Sequence, residues 1–227
     1  MKTISAWLLW LWISLVILAA FFYAPGAAEG FQAPKSYRIL FFHVPMAWAS
    51  FAGFISAAVS SFLYLRRRDL RHDRSAQVSV QLGILFGVLA TVTGAIWARI
   101  EWGAYWNWDP RQTSILISLL FYGAYLALRG AVEDPEKRAR LSAAYAILGL
   151  VVTPFLYWIM PRLTFSLHPE PVVNAEGETK MQSEILRVLM ASGVGFTALF
   201  FWLHNLQTRI QALAERKSAA REQGYGS

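Results

Sequence analysis

Two histidines and one aromatic stretch carry most of the chemistry this chain offers. His43 stands in FFHVPMAW and His168 in SLHPEP; each imidazole can give a lone pair to a metal or carry a proton near neutrality. Between them lies WGAYWNWDPRQT, Trp102 to Thr113, with three tryptophans, a tyrosine and an aspartate. Single tryptophans and tyrosines gather at membrane interfaces. Trp102, Tyr105, Trp106 and Trp108, however, fall within seven residues, more than one anchored hairpin needs. In a helical segment, Trp102, Tyr105, Trp106 and Asp109 would share one face by the i, i+3, i+4 rule. That face would be a flat, polarizable platform for stacking a planar aromatic ligand. Arg99 and Arg111 flank it in sequence, and Arg162 is a further candidate. A guanidinium grips a ligand carboxylate with two parallel hydrogen bonds; the plainer reading is snorkelling to the interface.

Asp109 has a structural role open to it as well. Asp109-Pro110-Arg111-Gln112 reads as an N-cap, a proline at the first helical position and a glutamine three residues past the cap. Capping is expected to be its primary task, with orientation of Arg111 as a second one.

Other chemistries find little support. The chain has no cysteine, which excludes disulfides, thiolate metal sites and thioether attachment of haem. A zinc site would need further ligands beside the two histidines, and only Glu170, Glu176, Glu178 and Glu184 are at hand, without helical His-x-x-x-His spacing. No phosphate-binding G-x-x-x-x-G-K-[ST] occurs, so nucleotide-driven work must come from another chain. His72, in an arginine-rich connection, is expected to be solvated, and His204 to sit at the C-terminal end of the last span.

The elements that must position these residues follow from composition. Of 227 residues, 56% are hydrophobic and 15% charged, and the mean hydropathy is +0.38; an all-α, polytopic membrane protein is expected. A bilayer core needs about 20 apolar residues per helix, and six segments qualify: about 4–23, 39–65, 78–98, 110–128, 141–160 and 185–204. They are taken as one integral membrane domain, 1–227. Lys2 followed by an apolar run and GAA resembles a signal peptide, but the run is long for that purpose, and retention as a span is expected.

Net charge is +7. The basic residues lie in short blocks beside apolar segments, which suits anchoring to membrane lipid and argues against nucleic acid. Fourteen lysines and arginines fall in the termini and the connections on their side, seven in the other three connections. By the positive-inside rule both ends are cytoplasmic. His43 then lies near the outer end of the second span, where an ionisable group is costly and a functional candidate by default. Pro45 close behind it can kink the helix and free backbone groups. The aromatic stretch and His168 fall in the second and third external connections. Two imidazoles and an aromatic platform on one membrane face make a haem site, with iron held axially on both sides.

The stretch WGAYWNWDPRQTS closely resembles the tryptophan-rich WWD motif of the haem-handling proteins of cytochrome c biogenesis. In length, span number and flanking histidines the chain resembles the small cytochrome c maturation protein C family along nearly its whole length. Tyr105 stands where some relatives have tryptophan, while Pro110 and Gln112 are shared with larger relatives. The resemblance implies that His43 and His168 are axial ligands of non-covalently held haem b. It assigns the motif to Trp102, Gly103, Tyr105, Trp106, Trp108, Asp109, Arg111 and Thr113; on that reading the ligand carboxylates that Arg99, Arg111 and Arg162 would pair with are the haem propionates. It further implies a non-enzymatic carrier in the bacterial cytoplasmic membrane with a periplasmic active face. Such a carrier delivers haem to a periplasmic haem chaperone, beside ATP-binding cassette subunits and a small one-span accessory protein. The alternative the motif permits is a lyase-type subunit attaching haem to apocytochrome c.

Overall fold

A computed structural model describes residues 3–26, 28, 31–169 and 181–224. Glu170, Glu176, Glu178 and Lys180, and with them most of the connection between residues 163 and 183, lie outside the described residues. Among those described there is no strand. Six helices are long and apolar enough to cross a membrane: Ala6–Tyr23, Ser36–Arg67, Leu70–Trp102, Pro110–Ala131, Pro135–Leu163 and Ser183–Ser218. We label the α-helical elements α1 (Thr3–Leu18), α2 (Leu40–Arg67), α3 (Leu70–Trp102), α4 (Pro110–Ala131), α5 (Pro135–Pro154), α6 (Met160–Leu163) and α7 (Ser183–Gly224). A π-helical turn, Phe155–Ile159, joins α5 to α6 within the fifth span.

Several helices outrun the apolar segments that announce them. Hydropathy marks the part a bilayer covers, whereas a helix ends where its caps are. Asp69 caps α3, accepting from the Arg71 N–H at 2.9 Å, and Asp134 caps α5 through the Lys137 N–H at 2.6 Å. The arginine-rich "loop" is therefore mostly helix, and His72 sits in the first turn of α3. Likewise α7 runs about 30 Å past His204. His204 does not close a helix end; its Nε2 donates to the Ser75 carbonyl at 3.2 Å.

The long hairpin of α2 and α3 is the centre of the bundle. Helices α4 and α5 pack on one side of it, α7 packs on the other, and α1 lies outermost against α7. Phe54 of α2 stacks on Tyr122 of α4 at 3.7 Å between ring centroids, and the Tyr122 hydroxyl bonds Thr153 of α5 at 2.7 Å. Large apolar side chains such as Trp7, Leu8 and Phe22 point outward, the arrangement that lipid as solvent demands.

Several polar groups inside the bundle find partners across it. Arg129 of α4 makes a two-pronged ion pair with Asp73 of α3, at 2.6 and 2.9 Å, and bonds Gln77 at 3.0 Å. Pro45, inside α2, lacks the N–H that would bond the Phe41 carbonyl four residues earlier. The freed carbonyl accepts instead from the Ser192 hydroxyl of α7.

Candidate functional site

One end of the bundle gathers the residues that the sequence singles out. His43 is in the first turn of α2, half-buried, with its ring against α3. Its Nδ1 lies 2.9 Å from the Ala90 carbonyl and 3.2 Å from the Thr93 hydroxyl. Gly94, on the same face of α3, leaves room for the ring: a Cβ there would meet His43 Cε1 at 2.7 Å. One to two turns further along α3 stand Trp97 and Trp102, and against them lies His168. Its ring centroid is 4.9 Å from that of Trp102 and 6.1 Å from that of Trp97. His43 lies within electrostatic range of both His168 and Arg111.

The aromatic stretch is not helical, which corrects the shared-face arrangement. Gly103 at φ 77° ends α3 in the left-handed conformation that glycine adopts without steric cost, and 103–109 runs as an irregular connection. Its rings meet edge to face, Trp97 with Trp102 at 76° and Trp106 with Trp108 at 89°. They form walls in two groups, not one flat platform. Trp97, outside the aromatic stretch, belongs to the wall behind His168. Trp108 holds φ at 56°, a conformation costly for a bulky residue, and its carbonyl accepts from the Thr113 hydroxyl at 3.2 Å. That backbone turns a largely exposed indole outward.

Asp109 is an N-cap, as expected, accepting from the Arg111 N–H at 2.9 Å with Pro110 at the first helical position. Gln112 does not complete the capping box. Its Oε1 accepts from the Asn107 N–H at 2.9 Å and its Nε2 reaches the Tyr105 carbonyl at 3.4 Å, so it braces the aromatic connection. The cap is only part of what Asp109 does. Its buried carboxylate accepts from Ser166 Oγ at 2.9 Å, Leu167 N–H at 2.6 Å and His168 Nδ1 at 2.8 Å. Burial by itself would raise its pKa. The His168 hydrogen bond and charge, with the Arg111 and Leu167 N–H groups, outweigh burial and hold the carboxyl well below the usual range.

The two histidines therefore share one arrangement. Each Nδ1 faces an oxygen, and a neutral imidazole that donates there leaves its Nε2 lone pair free, the state a metal ligand needs. The carboxylate–imidazole pair of Asp109 and His168 is the usual support for a ligating histidine. The donor set thus fits an iron porphyrin as cargo: nitrogen ligands, aromatic walls and nearby cations. Arg111 and Arg162 lie within electrostatic range of each other. Arg162 also lies over the Trp158 ring at 5.2 Å, and the Arg99 guanidinium donates to the Gly103 carbonyl beside Tyr105.

Comparison with known proteins agrees with this chemistry. A family model described as "Heme exporter protein C" matches residues 1–223. The chain is 32% identical to "Heme exporter protein C" of Bradyrhizobium diazoefficiens, the match covering 96% of this chain and 88% of the relative. It is also 32% identical to the protein of that description from Paracoccus denitrificans, over 96% and 92% of the two chains. A "Putative cytochrome c biosynthesis ccmC-like mitochondrial protein" of Arabidopsis thaliana is 29% identical over 93% of this chain and 80% of its own.

Proposed function

The chain belongs to the haem exporter protein C family, and from that premise we propose that it holds haem between His43 and His168 and passes it to a periplasmic haem chaperone. Membership makes it a multi-pass membrane component of haem handling for cytochrome c biogenesis, a transport protein and not an enzyme. Our reading adds the rest. Haem b is bound non-covalently at the outer face of the cytoplasmic membrane, with both chain termini inside. The protein works beside ATP-binding cassette subunits and a small one-span protein. The observation that carries the reading is the matched pair of imidazoles, each engaged at Nδ1, at one end of the bundle. The excess of lysine and arginine in the termini and the connections on their side supports the orientation.

In this reading Asp109 and the Ala90 carbonyl fix the imidazoles, the Trp97–Trp102 and Trp106–Trp108 walls exclude water from the porphyrin, and Arg111 and Arg162 receive its propionates. Release follows from unequal anchoring. His43 is set in a helix, whereas His168 sits on a connection held by Asp109, so His168 is the ligand that can be exchanged for one from the chaperone.

Purified His43→Ala and His168→Ala variants are each expected to lose the low-spin, six-coordinate haem spectrum and to load the chaperone poorly. Wild-type haem content in both would overturn the assignment. Holocytochrome formed without a haem–chaperone adduct would point to a lyase instead. A milder change, Gly94→Ala, pushes a methyl into His43 Cε1. It should weaken haem retention roughly tenfold without unfolding the bundle, as read from absorbance per mole of protein.

A further inference from the structure

The first external connection takes no part in the site as described so far, yet it is bound to it. Glu101, one residue before the end of α3, is 5% exposed and has no cation beside it among the described residues. Its carboxylate accepts from two successive backbone N–H groups, Gln32 at 2.7 Å and Ala33 at 3.2 Å, and from the Ser36 hydroxyl at 2.5 Å. Successive N–H groups pointing at one anion make a nest, here filled by a side chain of the protein itself. A buried carboxylate carried by three neutral donors is costly to keep; the same connection could be closed by apolar packing without it.

What the latch holds in place is Phe31. Its ring meets Trp97 edge to face at 6.3 Å and Tyr37 at 6.2 Å; Tyr37 is fully buried and bonded through its hydroxyl to the Pro25 carbonyl. Trp97 in turn touches both Trp102 and His168. The Asp109 hydrogen bond, with a 3.5 Å contact to the Ser166 hydroxyl, fixes where His168 Nδ1 sits, but both meet that one atom and leave the ring free to turn about it. The aromatic wall sets that turn, and Phe31 is the back of the wall.

We propose that Glu101 is a positioning residue: it latches the first external connection onto the end of α3, and through Phe31 and Trp97 this connection sets the plane of the His168 imidazole. The inference rests on the haem reading above. It makes all three external connections, and not only the second and third, parts of the site.

The full chain, loaded with haem in detergent, tests it. The spread of g-values in the low-spin ferric EPR signal reports the angle between the two imidazole planes, and transfer to a haem-scavenging apoglobin reports release. Glu101→Gln keeps the size of the side chain but turns an amide N–H₂ toward N–H donors; Phe31→Leu keeps apolar bulk but removes the ring edge. Both variants are expected to keep two axial imidazoles, shift the g-spread and release haem roughly tenfold faster. The double variant should go no further than either single, as for residues acting in one chain of contacts. Wild-type EPR and release in both singles overturn the latch. If Glu101→Gln does not fold, Phe31→Leu decides alone by the same two readouts. A wild-type protein without a bis-imidazole signal would overturn the haem reading, a result separate from a silent latch variant.

Discussion

Asp109→Asn is expected to leave the fourth span intact and yet strip the protein of most of its haem. Asparagine is as good an N-cap as aspartate, so the bond to the Arg111 N–H survives. Its amide, however, keeps an oxygen at the Oδ1 position, where the Arg111 N–H and His168 Nδ1 meet, and puts its N–H₂ where Oδ2 accepts from the Leu167 N–H and the Ser166 hydroxyl. The clash of donors at the Leu167 N–H loosens the connection that carries His168, whose Nδ1 also loses its anionic partner, and affinity should fall by roughly 10–100-fold. Asp109→Ala removes the cap as well, at a further cost of about 1 kcal/mol. Haem absorbance per mole of protein, with a thermal melt alongside, separates the two roles. An Asn variant with wild-type haem would reduce Asp109 to a cap. The acid side follows from the same carboxylate. Its folded pKa is lowered below the unfolded value of about 4, so its contribution is complete above that value and is lost as pH falls through the folded one. Between pH 7 and 5 the Asp109 carboxylate should therefore stay ionised.

Arg129→Met should be the most damaging single change away from the site. Removing one partner of a buried pair strands the other charge, and Asp73 would be left in a nearly dry setting at a cost of about 3–5 kcal/mol. Adding Asp73→Leu should recover most of that loss, because the apolar pair no longer carries a desolvated charge. Thermal inactivation in detergent, single against double variant, measures it. A double variant no better than the single would show that Gln77 and the surrounding packing, not the stranded charge, set the cost. Haem retention should be unaffected in any folded variant, since α3 carries Asp73 at the opposite end from Trp97 and Trp102.

How much of this was open to a reader of the sequence depends on what kind of pattern each part leaves. Six spans are written in runs of apolar residues, and the helix start at Asp109-Pro110 is written in four adjacent letters. Both are local signals. His43 and His168 stand out because imidazoles beside apolar runs are unusual. The pairing of Asp109 with His168 spans 59 residues and has no periodicity, so the chain gives only an aspartate with an adequate local reason to exist. Glu101 is hidden in the same way: beside Trp102 it reads as one more interfacial charge, and its acceptors' partners lie about 65 residues earlier. Helix ends past the bilayer also escaped hydropathy, which measures burial in lipid and says nothing of a capping aspartate. The helical platform failed for a single reason, Gly103, whose positive φ breaks the register that the spacing of the aromatics suggests.

Pro45 and Ser192 have a consequence for ancestry. A proline in the helix that carries His43 leaves the Phe41 carbonyl to be met by a hydroxyl 151 residues away. The two residues are unequal as evolutionary steps. A hydroxyl at 192 can arise first at little cost, while a proline arriving first would leave a bare carbonyl in an apolar bundle. The route in which the serine precedes the proline is the open one, and once the proline is in place the serine can no longer be lost freely.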